Sequence, residues 1–322
     1  MTREAVEAGL GQVFESLDGS LGRPVRRGKV RDVVEGESLL LLVASDRLSA
    51  FDRVLTTIPF KGEVLSRVSS WWFLRCSDIV PNHLVPGGDP ASLGLGRATL
   101  VRRVKILPVE VVVRGFLSGS AWRDYRAGRP VSGIVLPQGL SRNERFPVPL
   151  VTPSTKESDG HDRPIAAAEI VASGLVEAEL WHEIQRAALA LFRRGQELAA
   201  RSGLILADTK YEFGVDGGRL FLADELHSPD SSRFWWSESY ERRLHADEEQ
   251  RELDKEPFRR WLAERGFEGE GEVPPIPDSV RVETGWRYIQ AYEAITGEDF
   301  TGIGADPQSE RALIQRIVTE RL

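Results

Sequence analysis

The chemistry-bearing stretch of this chain is Asp208-Thr209-Lys210-Tyr211-Glu212-Phe213, which alternates charged residues with apolar or hydroxyl ones. On a strand alternate side chains share a face, so Asp208, Lys210 and Glu212 line one side while Thr209, Tyr211 and Phe213 line the other. If Asp216-Gly217-Gly218 is a three-residue turn, the returning Asp224 comes opposite Lys210 on the charged face. Three carboxylates then surround one lysine. Such a cluster is costly unless a further cation joins it, and a hard Mg²⁺ carrying ATP phosphates is the natural occupant. Glu212 and Asp224 are the candidate metal ligands. The competing reading is a solvated charged face of a two-stranded ribbon; the apolar Leu204, Ile205, Leu206 and Ala207 just before it weigh against that, since they imply a buried strand.

Other segments could meet anions. Gly28-Lys29-Val30-Arg31-Asp32 places two cations after a glycine, where backbone N–H groups can approach phosphate oxygens and a lysine supplies a mobile charge. It lacks P-loop spacing, so a solvated basic turn competes. Arg114 ends the run Val111-Val112-Val113 and precedes Gly115, Ser118 and Ser120, a plausible phosphate pocket or a surface arginine at a strand end. Ser228-Pro229-Asp230-Ser231-Ser232-Arg233 puts hydroxyls and a forked cation in a turn before Phe234-Trp235-Trp236. An N-cap with a core-packed helix is the alternative there. His161, in the polar loop after Thr152-Pro153-Ser154-Thr155-Lys156, is read as secondary.

The elements that must position these groups can be read coarsely. Residues 39–44 form an unbroken apolar run, a buried strand delivering Ser45, Asp46 and Arg47 at its end, where sites usually sit. Helical spacing predicts a helix over 61–80, two over 165–200, and three more around 254–265, 279–295 and 307–321. Residues 98–105 and 109–115 read as neighbouring strands, and the Pro-, Gly- and Ser-rich 128–153 as a long ordered loop or hairpin excursion. The pattern predicts an α+β fold with a small β-rich lobe over 1–107 and a larger lobe with C-terminal helices over 108–322. The cleft between them is the expected ligand site.

Composition narrows the classes. At 322 residues with 41% hydrophobic and 28% charged residues the chain is ordinary globular material. A net charge of −7 argues against a nucleic-acid surface. A single cysteine excludes an internal disulfide, no zinc-ligand spacing occurs, and neither a signal segment nor a spanning run is seen, so a cytoplasmic setting without membrane partners is expected. Oligomeric state is not legible; a monomer is the expectation.

Taken in order, Gly28 to Asp32, Ala44-Ser45-Asp46-Arg47-Leu48-Ser49-Ala50-Phe51-Asp52, Pro108-Val109-Glu110-Val111-Val112-Val113-Arg114-Gly115, Pro153-Ser154-Thr155-Lys156, Gly160-His161-Asp162, Asp208 to Gly214, Asp230-Ser231-Ser232-Arg233-Phe234-Trp235 and Asp254-Lys255 resemble the phosphoribosylaminoimidazole-succinocarboxamide synthase (SAICAR synthetase) family. The resemblance implies a two-lobe fold related to ATP-grasp and a purine-biosynthetic ligase. Its substrates would be ATP, carboxyaminoimidazole ribonucleotide and L-aspartate, with Mg²⁺ as cofactor. It implies that Gly28, Lys29 and Arg31 meet ATP, that Glu212 and Asp224 hold Mg²⁺ with it, and that adenine lies near residues 103–107. It further implies that Arg114, Ser120 and Arg233, with Ser45, Asp46 and Arg47, bind the substrate, while Asp208 and Lys210 stand at its reacting end as the catalytic pair. Departures occur at Ala121, Arg163-Pro164 and Glu225-Leu226-His227-Ser228. They leave open a paralogous ligase acting on another azole nucleotide. A non-catalytic nucleotide-binding regulator is disfavoured by Lys29, Lys210, Glu212 and Asp224 occurring together.

Overall fold

The computed structural model describes residues 1–17, 21–156, 162–302 and 307–322, so His161 lies outside the described residues. Helix α1 (Arg3–Ala8) is capped by the Thr2 hydroxyl. The strands β1 (Val25–Arg27), β2 (Arg31–Glu35), β3 (Leu39–Ala44) and β6 (Ala98–Arg102) form an antiparallel sheet in the order β1-β2-β3-β6. Alternation gives it two different faces. Val34, Leu41, Val43 and Leu100 pack under Ile314, Ile317 and Val318 of α10 (Pro307–Arg321), while Val33, Leu42 and Val101 face the other way. The last helix thus completes the small N-terminal lobe.

Between β3 and β6 the chain makes the hairpin of β4 (Arg47–Ala50) and β5 (Arg53–Thr57), then α2 (Lys61–Arg75) and the short α3 (Pro90–Leu93). The hairpin turns through Phe51 and Asp52, both with positive φ (52° and 61°). Helix α2 stops at Arg75, short of the expected residue 80, and a turn with Ile79 N–H on the Cys76 carbonyl follows.

The larger sheet has the core order β11-β10-β7-β8, built from β7 (Lys105–Phe116), β8 (Arg145–Val151), β10 (Leu204–Asp216) and β11 (Arg219–Ala223). Strand β9 (Ser154–Thr155) adds to β7, and β12 (Ser232–Trp236) to β10. The expected pairing of residues 98–105 with 109–115 is not found: β6 stays with β3, while β7 pairs with β10, so Arg103 and Val104 cross between the sheets. The expected lobe boundary after residue 107 falls inside β7. Residues 145–151 return beside β7, the hairpin form of the 128–153 excursion.

Helices α4 (Gly119–Arg126), α5 (Ala167–Ala172), α6 (Ala178–Arg201), α7 (Tyr240–His245), α8 (Glu256–Ala263) and α9 (Asp278–Thr296) surround this sheet. The two helices expected over 165–200 are α5 and α6. Ile184, Ala188, Leu191 and Phe192 of α6 join Leu206, Tyr211 and Phe213 of β10 in one core, which leaves the opposite, charged face of β10 to the cleft. The whole is an α+β fold of two lobes, as expected.

Candidate active site

A cleft of about 530 Å³ lies between the lobes. Its small-lobe wall is apolar, with Val33, Leu42 and Val101, and continues through Val104 and Ile106 at the crossover. At its rim the Gly28 N–H donates to the Arg31 carbonyl at 2.8 Å, and a Cβ on Gly28 would sit 2.7 Å from that same oxygen. Only glycine fits this turn. The Lys29 ammonium reaches Asp52 at 2.6 Å and is half-exposed.

Across the cleft β10 presents its charged face as expected. Register places Asp208 opposite Arg114 and Glu212 opposite Glu110. Two facing carboxylates repel unless a cation bridges them, and Lys210 does so, 2.5 Å from Glu110 and 3.2 Å from Glu212. Lys156 adds a second cation 2.5 Å from Glu212. Burial opposes the Lys210 charge, but Glu212 and Glu110 hold its pKa above the ordinary lysine value. Burial raises the Glu110 pKa despite Lys210.

Asp208 is not part of the Lys210 pair, contrary to the expected cluster of three carboxylates on one lysine. Its Oδ2 accepts from Arg233 at 2.6 Å, Ser118 at 3.0 Å and Arg114 at 3.3 Å. Arg114 also donates to Ser120 at 3.0 Å and Thr152 at 2.9 Å. This knot opens on a second hollow of about 520 Å³ lined by Arg123, Arg126, Arg142 and Arg233. Gly119 suits this place because its φ of 56° is left-handed, and a Cβ there would also crowd the Arg233 guanidinium.

Asp224 reaches the cleft by a different route from the one expected. The turn is the two-residue Gly217-Gly218, with Asp216 paired to Arg219 and Glu212 to Ala223, so the three-residue register was off by one. Strand alternation alone would turn Asp224 to the core face beside Tyr211. Asp224 instead has φ 62° just past the end of β11, and its carboxylate bonds Arg31 across the cleft. Burial would raise its pKa, yet Arg31 and Lys210 hold it below the ordinary value. Arg31 also donates to Glu225 at 3.0 Å, so this cation ties the two lobes together.

Ser45, Asp46 and Arg47 are used inside the fold rather than on the cleft wall. Asp46 accepts from the Phe14 N–H at 2.7 Å and from the Gly62 N–H at 2.9 Å, serving the free N-terminus of α2. Ser45 donates to the Val30 carbonyl, and Arg47 donates to the carbonyls of Gly28 and Lys29 at 3.0 Å, bracing the turn. A strand's polar end can point inward as easily as outward, and the sequence does not distinguish them.

Sequence reasoning assigned no role to Lys61, Glu110, Lys156, Asp230 or Lys255. Lys61 is fully buried 2.7 Å from Asp230, which also accepts from the Tyr288 hydroxyl at 2.5 Å. Glu110 is recoverable only through the β7–β10 register. His227 is buried too, its Nε2 2.7 Å from the Tyr211 hydroxyl and its ring edge-on to Trp72. Burial pushes its pKa down to about 3, so it is a neutral core residue.

Among the described residues no group of three or more His, Cys, Asp or Glu side chains stands ready to hold a metal ion alone, and no helix is long and apolar enough to cross a membrane. Mg²⁺ characteristically takes one or two carboxylates and completes its shell with phosphates and water. The pair Glu212 and Asp224 has that chemistry.

Comparison with known proteins gives a consistent result. The family model for SAICAR synthetase matches residues 24–275. Phosphoribosylaminoimidazole-succinocarboxamide synthase of Legionella pneumophila (strain Lens) is 46% identical over 281 residues, covering 85% of this chain and 88% of that protein. A putative phosphoribosylaminoimidazole-succinocarboxamide synthase 2 of Agrobacterium fabrum is 45% identical over 284 residues, covering 85% and 87%. Among solved structures, the SAICAR synthase from Saccharomyces cerevisiae complexed with SAICAR superposes with a TM-score of 0.76 at 38% identity, covering 89% of this chain and 98% of that one. A type-2 SAICAR synthetase in complex with ADP gives 0.65 at 26% identity, covering 86% and 100%. With the family model spanning most of its length and relatives of this similarity, the chain belongs to the SAICAR synthetase family.

Proposed function

We propose that this chain is an ATP-dependent carbon–nitrogen ligase of purine biosynthesis that joins carboxyaminoimidazole ribonucleotide to L-aspartate, forming SAICAR, ADP and phosphate. The observation that carries the reading is the juxtaposition in one cleft of an apolar wall, a glycine turn with Lys29, and the Lys210, Glu212 and Asp224 cluster. Family membership, the ADP complex of one relative and the SAICAR complex of another support it.

A carboxylate does not acylate an amine until an oxygen is turned into a leaving group. The substrate carboxylate oxygen attacks the γ-phosphorus of ATP, the bond to the bridging oxygen breaks, and ADP leaves. The neutral amine of aspartate then attacks the acyl carbon; the carbon–oxygen bond breaks, phosphate departs, and the amine loses a proton. The protein aligns these groups, neutralises developing charge and excludes water.

Adenine fits the apolar wall of Val33, Leu42, Val101 and Val104, and the Gly28 turn with Lys29 meets the phosphates. Arg31 starts on Asp224 and Glu225 and exchanges toward the nucleotide. Glu212 and Asp224 would hold Mg²⁺, which when bound offsets phosphate charge. Lys210, fixed by Glu110 and Glu212, carries a permanent positive charge beside the reacting carboxylate. Arg114 and Arg233, oriented by Asp208, and Ser120, which accepts from Arg114, grip the ribonucleotide phosphate, with Arg123, Arg126 and Arg142 adding positive potential in the adjoining hollow. A cytoplasmic setting is part of the same proposal.

The test is ADP release from ATP, Mg²⁺ and carboxyaminoimidazole ribonucleotide with each amino acid in turn. Aspartate-dependent turnover is expected. Turnover with a different amine, or none, overturns the assignment.

A further inference from the structure

Of the two carboxylates proposed for Mg²⁺, Glu212 sits within β10, whereas Asp224 has a left-handed backbone, φ 62°, just past the end of β11. Such a conformation is costly for a residue with a Cβ and persists where the surroundings impose it. Arg31 bonds the Asp224 carboxylate, but on the proposed function it exchanges toward the nucleotide. Another group must then keep Asp224 turned to the cleft.

The segment 81–85 runs beside this turn and is bonded to both sheets. On the large-lobe side Asn82 pairs parallel to Leu222 of β11. The Leu222 N–H donates to the Pro81 carbonyl at 2.8 Å, and the His83 N–H donates to the Leu222 carbonyl at 3.0 Å. On the small-lobe side Leu84 pairs antiparallel to Val101 of β6, and the Arg102 N–H donates to the His83 carbonyl at 2.7 Å. Asn82 fastens the segment to α2, its Nδ2 donating to the Phe73 carbonyl at 3.2 Å. The main chain of His83 is thus held by one lobe through its N–H and by the other through its carbonyl, and its large-lobe partner lies two residues before Asp224.

The His83 side chain lines the cleft yet is only 5% exposed. It packs edge-on to Phe73 at 5.5 Å, and it lies against Asp224, interacting with both its main chain and its carboxylate. The Nε2 is buried with no hydrogen-bond partner among the described residues. A buried nitrogen without a partner is a cost that leucine or phenylalanine would avoid, so packing alone does not account for an imidazole here.

We infer, on the proposed metal role of Asp224, that His83 is a positioning residue: held between the lobes by its own main chain, it keeps Asp224 turned into the cleft and so sets the affinity for the metal-bound nucleotide.

The test compares the parent with His83→Phe, which keeps a ring against Phe73 but has no N–H, and with His83→Gln, which retains one. Affinity for ATP with Mg²⁺ is measured by calorimetry, and affinity for adenosine, which has no phosphate, by its displacement of that ATP; urea midpoints are recorded alongside. His83→Phe is expected to weaken Mg²⁺-dependent ATP binding by about tenfold or more and to leave adenosine affinity within about twofold, while His83→Gln recovers most of the loss. Parental ATP affinity in folded His83→Phe overturns the inference. Equal losses of ATP and adenosine, or a His83→Gln protein as weak as His83→Phe, make His83 a structural wall residue and overturn it too. If the parent itself binds ATP equally with and without Mg²⁺, the metal role of Asp224 fails first and the role of His83 falls with it. A His83→Phe protein without a urea transition is replaced by His83→Leu, which decides in the same way; loss of the transition in both assigns His83 to the fold alone and overturns the positioning role.

Discussion

Two dense clusters of charge sit on opposite sides of β3, and they behave differently. Behind it, Arg97 lies among Glu310 at 2.9 Å, Asp46 at 3.1 Å and Glu63 at 3.8 Å, with side chains at most 9% exposed. In the cleft, Lys210 and Lys156 hold Glu110 and Glu212 at similar distances, yet the lysines remain 32% and 34% exposed. The first cluster joins α10, α2 and the strand end, with Asp46 already taking two backbone N–H groups. The second is open to solvent, so its ion pairs can exchange for phosphate, metal or substrate. Composition cannot separate them; access to the cleft does.

The comparison predicts opposite consequences for removing the central cation. Arg97→Met strands three buried carboxylates and is expected to cost about 3–5 kcal/mol of folding stability, read as a lowered urea midpoint with unchanged kcat for the protein that remains folded. A stable variant would make the Arg97 knot dispensable and blur the contrast. Lys210→Met is expected to lower kcat by roughly 10²–10³-fold. Its stability loss should be the smaller, because Glu110, already pushed up by burial, can take a proton and Lys156 still faces Glu212. Near-normal kcat in folded Lys210→Met removes the lysine from the chemistry.

A subtler separation comes from pH. His227 is neutral in the folded core, with a pKa of about 3, whereas the unfolded chain protonates it near the ordinary value of 6.5. Between those values the unfolded state binds more protons, so stability is lost as pH falls below 6.5, by up to about 1.4 kcal/mol per pH unit for this group. His227→Leu should flatten that part of the stability profile, measured by urea denaturation at pH 6.5 and 4.5. An identical slope in both proteins would contradict the assignment of His227 as a buried neutral group. The smallest effect is expected at the exposed Lys29–Asp52 pair. Lys29→Met should change stability by less than about 1 kcal/mol while raising the ATP KM.

Much of this was legible because local patterns are strong. The run 39–44 is a strand, and the alternation through 208–213 puts charge on one face and core on the other, as found. The failures share a cause: each needed information from another part of the chain. Gly217 and Gly218, both with positive φ, close a two-residue turn, and Asp224 regains the cleft only through its left-handed backbone. Ser45, Asp46 and Arg47 turn inward because Gly62, Phe14 and the Gly28 turn need their hydrogen bonds. Glu110 and Lys156 join Lys210 from strands and loops 54 to 100 residues away, which no local spacing encodes.

On the proposed function, the open cluster holds a metal-bound nucleotide while the closed one only holds the fold. Calorimetric titration of ATP into the parent and into Asp224→Asn, each with Mg²⁺ and with a chelator, tests it most directly. Tight binding by the parent only with Mg²⁺, and its loss in an Asp224→Asn protein with a parental urea midpoint, is the predicted result. Equal ATP affinity with and without Mg²⁺, or parental Mg²⁺-dependent binding by Asp224→Asn, would contradict it.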